Sequence, residues 1–375
     1  MGTMAVYKDQ ERNTWYYTGR IKDTSGIYHT YKKRGFGTKK EAKQAENAFL
    51  KSKEEDPGSL TLQEVVDIYS QRIDSLAIKE TTLYGDLTYY RIHIKDTFGD
   101  RKVKDITPNM IEIWLGEQIK KKKIDGGTYS VRTINHAKNV LSKFMTYAKR
   151  LGQIQYNPVG AVPSLKDHNP IQTKKDSEEN FWELEEFNEF MSYVEDPFWQ
   201  DVFSFLFQTG LREGEMFGLI WDNVNLVKGT IFIAQSISNK TDKGHYVVTT
   251  PKNTRSIRTV ILSEQMKETL KRRYQHERKK DGFNRSYYVF GDVTPMSRNK
   301  LAYNLDRYID ISGVKRITPH GFRHSHASLL IYNKVDDAVI AERLGHTIEE
   351  LHKTYAHIYG DLRSEMKDKL DEIFR

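Results

Sequence analysis

A chain of 375 residues is too long for one ordinary domain, and two or three are expected. Apolar residues make up 38% with no uninterrupted run of about eighteen, which excludes a spanning helix. The absence of cysteine excludes disulfides and thiolate metal sites, and the net charge of +8 points to a polyanionic partner, nucleic acid before an anionic membrane surface.

Most of that charge sits at the start. Between Met1 and Lys53 twelve basic residues stand against five acids. No secretory leader opens the chain, and Met1-Gly2-Thr3 reads as an expression scar ahead of a native start at Met4. A short strand is expected near Ala5–Lys8. The aromatic run TWYYTGRI (Thr14–Ile21) and YHTYKKRGF (Tyr28–Phe36) are β-prone, with DTSG (Asp23–Gly26) as the turn between them. Thr38-x-x-Glu41 is a capping box that opens a helix through Lys51, with Ala42, Ala45, Ala48 and Phe49 on one face. A three-stranded sheet backed by a helix, with Arg20, Lys32, Lys33 and Arg34 on its strands, can lie in a DNA major groove. The alternative is a solvated basic tail. Glu54–Gly58 ends the unit.

The next hundred residues read as helices. Thr61-x-x-Glu64 is a second capping box, followed by Leu62, Val65, Val66 and Tyr69 at helical spacing. A helix is expected over Lys79–Ile94. Another starts at Thr107-Pro108, with proline at the first helical position. A longer one covers Ser130–Leu151, with Ile134, Ala137, Val140, Leu141, Phe144 and Ala148 inward. Lys120, Lys121, Lys122 and Lys123 form a charge run, either a solvated helix end or a phosphate contact. Pro163–Asn180 is polar, contains two prolines and reads as a linker.

From Phe181 onward the pattern is mixed. Helices are expected over Glu183–Asp196, Asp201–Thr209 and Gln265–Lys280. Gly229–Gln235, Tyr246–Thr250 and Ser256–Leu262 are β-like and are expected to form one small sheet. The run TPHGFRHSHASLL (Thr318–Leu330) begins with a natural N-cap, Thr318, and a natural first helical residue, Pro319. His320 and Arg323 then share a face. Gly345 ends a helix at Leu344, and Thr347-x-x-Glu350 is a third capping box. On the short helix that follows, Ile348, Leu351 and Tyr355 share the apolar face, with His346 just ahead of it.

A phenol is a poor nucleophile unless it is deprotonated in place, and a phosphodiester is its natural electrophile. The transition state loads charge onto the non-bridging oxygens, which planar guanidinium groups can clamp. One arginine rarely suffices. The second stands in FQTGLREGEMFG (Phe207–Gly218), where the turn at Thr209-Gly210 delivers Arg212 to a helix start with Glu215 on the same face.

The boxes TGLREGE, HGFRHSHASLL and LGHT…TYAH, in that order and spacing, resemble those of the tyrosine recombinase (phage integrase) family, of the kind carried by temperate phages and conjugative transposons. The resemblance implies a mainly α, multidomain chain. Residues 1–57 would be an arm-type DNA-binding domain, 58–165 a helical core-binding domain of the SAM-like type, 166–180 a linker, and 181–375 an α+β, mostly helical catalytic domain. It also implies the roles. Tyr355 attacks the scissile phosphate to form a 3′-phosphotyrosyl bond. Arg212 and Arg323 hold the non-bridging oxygens, and His346 donates to the phosphate. His320 is the general base on Tyr355 or its proton partner in reverse, and Glu215 orients its neighbours. A hairpin lysine protonates the leaving 5′-oxygen; Lys252 fits, while Lys240 and Lys243 lie in the same region. No cofactor and no metal are required. The expected partners are double-stranded DNA at core and arm attachment sites, a homotetramer joined through a C-terminal helix (Asp361–Arg375), an excisionase and a DNA-bending protein. The setting would be the bacterial cytoplasm, with no membrane.

Blander readings compete. An arginine beside acids is usually a surface ion pair, and a tyrosine on an apolar stripe is usually core. Tyr359 is the rival nucleophile, but it lacks the spacing from His346. Six histidines could suggest zinc, yet no glutamate follows His320 as in zincins. His324, His326, His352 and His357 read as structural or phosphate-adjacent. Two other functions share the fold: a type IB-like topoisomerase, and a DNA-binding regulator without catalysis.

Overall fold

A computed structural model of the chain describes residues 5–10, 12–22, 28–53, 60–72, 78–166, 180–238, 246–249, 254–356, 358–359, 370 and 373–374. They form two compact units, residues 1–77 with 86–166, and residues 78–85 with 167–375.

The first unit opens with an antiparallel sheet in the order β1 (Ala5–Asp9), β2 (Thr14–Lys22), β3 (Tyr28–Phe36), followed by the helix Lys39–Lys53. Thr38 and Glu41 make the expected reciprocal cap: the Glu41 N–H donates to Thr38 Oγ1 at 3.2 Å and the Thr38 N–H to Glu41 Oε2 at 3.3 Å. Alternation along β2 sorts the side chains. Tyr17 is buried and stacks on Phe36, on the side that also holds Ala42 and Phe49 of the helix. Ala45 and Phe49 are half-buried on that side, and the Ala48 side chain lies outside the described residues. One residue of that face escaped the apolar pattern: Glu46 is buried, and Tyr31 Oη donates to its carboxylate at 3.2 Å.

Register then separates the basic residues. Tyr16 pairs with Arg34, Thr18 with Lys32 and Arg20 with Thr30, so Arg20, Lys32 and Arg34 share the face opposite the helix. Tyr7 joins them, stacked on Tyr16. Lys33 pairs with Tyr17 and belongs to the other face.

The helices of the same unit begin at Leu62–Gln71, capped by Thr61 and Glu64. The helix expected over residues 79–94, whose first residues up to Gly85 are counted with the second unit, runs further: Glu80–Tyr89 is α, Tyr90–Ile94 is a π turn, and Lys95–Phe98 is α again. A π turn frees carbonyls that need other donors. Trp114 Nε1 donates to the His93 carbonyl at 2.8 Å, and Lys121 Nζ donates to that of Ile92. Lys121 is therefore engaged with backbone, while Lys120 and Lys122 are exposed. Helix Pro108–Lys120 starts at the Thr107 cap, and helix Val131–Arg150 buries all six of its expected inward residues.

In the second unit, aromatic and aliphatic side chains from the helices Leu184–Ser192 and Pro197–Thr209 and from the strands beside them form the core. The β segments do not make one sheet. β4 (Val224–Asn225), β5 (Thr230–Ile233) and β8 (Arg258–Ile261) form one; β6 (Ser236–Ser238) and β7 (Val247–Thr249) form a separate pair. β5 ends after four residues at Ile233, and from Ser236 the chain pairs with β7 instead.

The helix after Pro319 also starts later than expected, over Gly321–Tyr332. The N-cap position falls to His320, without a side-chain cap, and Thr318 instead pairs with Asn180: its N–H donates to Asn180 Oδ1 at 2.9 Å and its hydroxyl receives Asn180 Nδ2 at 3.1 Å. Helix Asp337–Leu344 ends at Gly345, whose φ of +67° places it in the left-handed region, and helix Ile348–Thr354 follows its capping box as expected. Ile348 departs from the expected stripe. It is exposed, whereas Leu351 and Tyr355 are buried, because a residue in the first turn lies at the rim of the contact. The expected C-terminal helix lies almost entirely outside the described residues.

Candidate active site

Gly210 sets the site up. It closes helix Pro197–Thr209 at φ +65°, and a side-chain carbon there would fall 2.5 Å from the His326 ring. Two residues on, Arg212 is the N-cap of helix Glu213–Phe217. Its guanidinium donates to Glu215 Oε1 at 2.9 Å, and its N–H to Glu215 Oε2 at 3.1 Å. The same carboxylate receives a fork from Arg258, at 3.2 and 2.9 Å. Burial acts to raise the Glu215 pKa, but the hydrogen bonds and charge of Arg258, with the charges of Arg212 and Arg323, outweigh it and hold the carboxyl below its ordinary value. Glu215 is thus an ionised anchor. It fixes Arg212 by one edge and leaves the side chain partly open to solvent, at 37% exposure.

Arg323 is 1% exposed. Nη1 donates to the Gly210 carbonyl at 2.9 Å, Nη2 to the Leu344 carbonyl at 2.6 Å, and Nη2 also meets His346 Nε2 at 2.8 Å. Burial and then the nearby Arg212 charge push its pKa down to about 9, so it stays charged at neutral pH. A guanidinium only donates, so His346 Nε2 must accept and its proton must sit on Nδ1. Burial first, then the charges of Arg323 and Arg212, lower the His346 pKa to about 4, which keeps the ring neutral. That Nδ1–H is buried and has no hydrogen-bond partner among the described residues. It is a donor suited to an anionic oxygen.

Tyr355 follows helix Ile348–Thr354, its N–H bonded to the Leu351 carbonyl at 3.0 Å and its ring buried with Leu351, Ile340, Leu344 and Ile358. Its hydroxyl lies 3.1 Å from His324 Nδ1. The His324 ring in turn meets the His320 ring edge-on, with centroids 4.6 Å apart. Burial pushes the Tyr355 pKa up to about 12, against the pull of Arg323 and Arg212. Burial and the same two arginines lower that of His320.

A further pair supports the floor of the site. His326 Nδ1 lies 2.9 Å from the Phe207 carbonyl, and Arg343 Nε donates to its Nε2 at 2.9 Å, so the ring is the neutral Nδ1–H form. Burial and the Arg343 charge bring its pKa down to about 3. Arg343 continues to the Ile261 and Gln208 carbonyls.

Six of the residues singled out from sequence therefore converge: Arg212, Glu215, His320, Arg323, His346 and Tyr355. Lys252, Lys240 and Lys243 lie outside the described residues. Tyr359 is turned to Asp337, to which its hydroxyl donates at 2.5 Å. Arg258 and Arg343 escaped the sequence reading, and His324 was set aside as structural or phosphate-adjacent. Arg258 had a signal, since it occupies an inward position of an alternating strand, where a charge needs a partner. Among the described residues, no group of three or more histidine, aspartate or glutamate side chains could hold a metal ion.

The model of the phage integrase family matches residues 180–361, that of an arm DNA-binding domain residues 5–53, and that of the family's N-terminal SAM-like domain residues 61–117. The chain belongs to the phage integrase family. The integrase is a tyrosine site-specific recombinase, of the group that acts in the integration of mobile elements. It is 29% identical to the ICEBs1 integrase of Bacillus subtilis over 354 residues, 90% of either chain. It is 26% identical to the tyrosine recombinase XerC of Treponema denticola over 285 residues, 74% of this chain and 87% of the relative. Its fold is similar to that of the Tn1549 transposon integrase in complex with a circular intermediate DNA (TM-score 0.61, 20% identity, 82% of this chain and 99% of that one). It is also similar to that of the lambda integrase in a tetramer bound to a Holliday junction (TM-score 0.57, 19% identity, 91% and 95%).

Proposed function

We propose that the integrase cleaves and rejoins double-stranded DNA through a 3′-phosphotyrosyl intermediate, and so integrates and excises a mobile element. The observation that carries this is the contact of Arg323 Nη2 with His346 Nε2, which leaves His346 an Nδ1–H with no partner among the described residues, in the same site as the buried Tyr355 phenol. Tyr355 Oη attacks phosphorus and the 5′-oxygen leaves. Arg212 and Arg323 stabilise charge on the non-bridging oxygens, and His346 donates through Nδ1. Glu215 orients Arg212. His320 stands beside the two arginines, and Lys252 protonates the 5′-oxygen. The phosphotyrosyl bond conserves the energy of the broken linkage, so neither ATP nor metal is needed and the step reverses.

The division into an arm-binding domain (1–57), a core-binding domain (58–165), a linker (166–180) and a catalytic domain (181–375) is supported by the segments that the three family models match. Arg20, Lys32 and Arg34 would face arm-site DNA, and Lys120 and Lys122 core-site phosphates. Four protomers would exchange strands through a Holliday junction, joined by the segment after Asp361, with an excisionase and a DNA-bending protein setting direction, on the bacterial nucleoid.

Expressing the wild type and Tyr355→Phe in the native host, denaturing rapidly and sequencing protein-linked DNA ends tests the reading. Adducts at one or two discrete sites, lost in the variant, are expected. Adducts scattered across the genome would instead identify a topoisomerase, and none in the wild type would leave a DNA-binding protein without strand cleavage.

A further inference from the structure

Among the described residues, the hydrogen-bond partner of the Tyr355 hydroxyl is His324, one helical turn beyond His320. The charges of Arg323 and Arg212 act on both His320 and Tyr355. The His324 ring stands edge-on to the His320 ring and 5.6 Å from the Tyr355 ring by centroids. Among the described residues, His324 is the ring hydrogen-bonded to the attacking oxygen. Helix Gly321–Tyr332 makes this possible, since His324 follows Arg323 directly and so projects about 100° around the helix from it. Arg323 turns inward to Gly210 and Leu344 while His324 turns to the tyrosine.

We infer that His324 is the proton acceptor for the nucleophile, through Nδ1. This rests on the recombinase reading above. In the forward step the Tyr355 O–H proton passes to His324 Nδ1, the phenolate oxygen bonds to phosphorus, and the bond from phosphorus to the 5′-oxygen breaks. The 5′-oxygen takes its proton from the separate acid, Lys252. In religation the proton returns from His324 to the phenol as the 5′-hydroxyl attacks. The geometry fits the task, because a donor–acceptor distance of 3.1 Å lies within reach for direct transfer. It also explains how a phenol with its pKa raised to about 12 can react at neutral pH, since the base is already in contact.

The test uses the full chain and duplex DNA carrying the joined ends of its own element, nicked so that cleavage is trapped as the covalent adduct. His324→Ala is expected to bind this DNA like the wild type and to lose about 100-fold or more in adduct rate, the lower range for a general base. His324→Asn retains a hydrogen-bonding atom near the position of Nδ1 but cannot carry the proton, and is expected to be nearly as slow. Free imidazole should restore the alanine variant in a saturable way. A substrate with sulfur in place of the bridging 5′-oxygen needs no leaving-group acid and is expected not to restore it. Rescue by that substrate would place His324 on the leaving-group side and overturn the assignment. A wild-type rate in His324→Ala, or full activity in His324→Asn, would also overturn it, the latter reducing His324 to a positioning residue. If the wild type forms no adduct, the recombinase reading itself fails. Nitrogen-15 spectra of the protein without DNA separate the two cases: the assignment needs an unprotonated His324 Nδ1 whose resonance shifts in Tyr355→Phe, and a protonated Nδ1 would overturn it.

Discussion

Arg323 and Arg34 carry the same guanidinium into opposite surroundings. Arg323 is 1% exposed and is held by hydrogen bonds to two backbone carbonyls and a histidine nitrogen, with N–H groups to spare. Arg34 is 49% exposed and reaches Asp9 at a loose 3.8 Å, over the ring of Tyr16. A charge held in a desolvated, fixed position stabilises a transition state strongly, because nothing reorganises when the substrate's charge changes. A charge left in water and free to adjust follows a polyanion along its length and is weakened by salt. The contrast between the catalytic unit and the basic sheet is one of preorganisation against accessibility, and each substitution below moves one side of it.

The largest effect is expected at Tyr355. Tyr355→Phe removes the only oxygen that can form the adduct, so denatured reactions should contain no covalent protein–DNA product. Binding, read by gel shift, should remain, since the hydroxyl's partner among the described residues is the His324 side chain and the ring keeps its packing. An adduct in this variant would move the nucleophile elsewhere, with Tyr359 the first candidate.

Arg323→Lys comes next. An ammonium cannot satisfy the Gly210 and Leu344 carbonyls together while presenting a flat edge to phosphate. Cleavage should fall by about 100-fold or more, in the range found when a preorganised donor is lost. Thermal unfolding should show a lower Tm as well, because a buried carbonyl is left unpaired. A large loss of rate at unchanged Tm would confine the role of Arg323 to the phosphate.

Such contacts were legible in the sequence only in part. Capping boxes at Thr38, Thr61 and Thr347 placed helix starts within a residue, because the reciprocal hydrogen bonds that define them lie inside four consecutive residues. Tyr355 was placed by spacing from the third of these. Arg258 was not found, since its partner Glu215 is 43 residues away and no local pattern joins the two. Residues 236–238 were not read as a strand, because three residues carry too short an alternation to register, and their pairing with Val247–Thr249 is set across an interval of sequence. The π turn at Tyr90–Ile94 has the same origin: a tryptophan and a lysine from the following segment supply the donors that the helix gives up.

Glu215→Gln sits between the two regimes. It leaves Arg258 buried at 6% exposure without its counter-charge, and the expected cost is about 3–5 kcal/mol of folding stability. The pH dependence follows from the depressed pKa. The native carboxyl lies below its ordinary value of 4.5, so its contribution is fully present above pH 4.5 and is lost as pH falls through the native value. Denaturant titrations across that window should show the wild type losing stability toward the variant as acid is added. Parallel curves for the two proteins would mean that Glu215 is not the anchor for the two arginines.

The smallest effects belong to the basic sheet, and there register makes a sharp distinction between adjacent residues. Lys32 and Arg34 lie on the face with Tyr16, with Lys32 Nζ 4.6 Å from the centre of the Tyr16 ring, whereas Lys33 pairs with Tyr17 on the side of the helix. A groove can receive one face of a sheet at a time. Lys32→Ala and Arg34→Ala should each lower the salt slope of arm-site binding by about 1, the loss of one phosphate contact. Lys33→Ala should leave the slope nearly unchanged, although it removes the same charge from the next position in the chain. Equal slopes for all three variants would show that net charge, and not the face that carries it, governs the encounter with DNA.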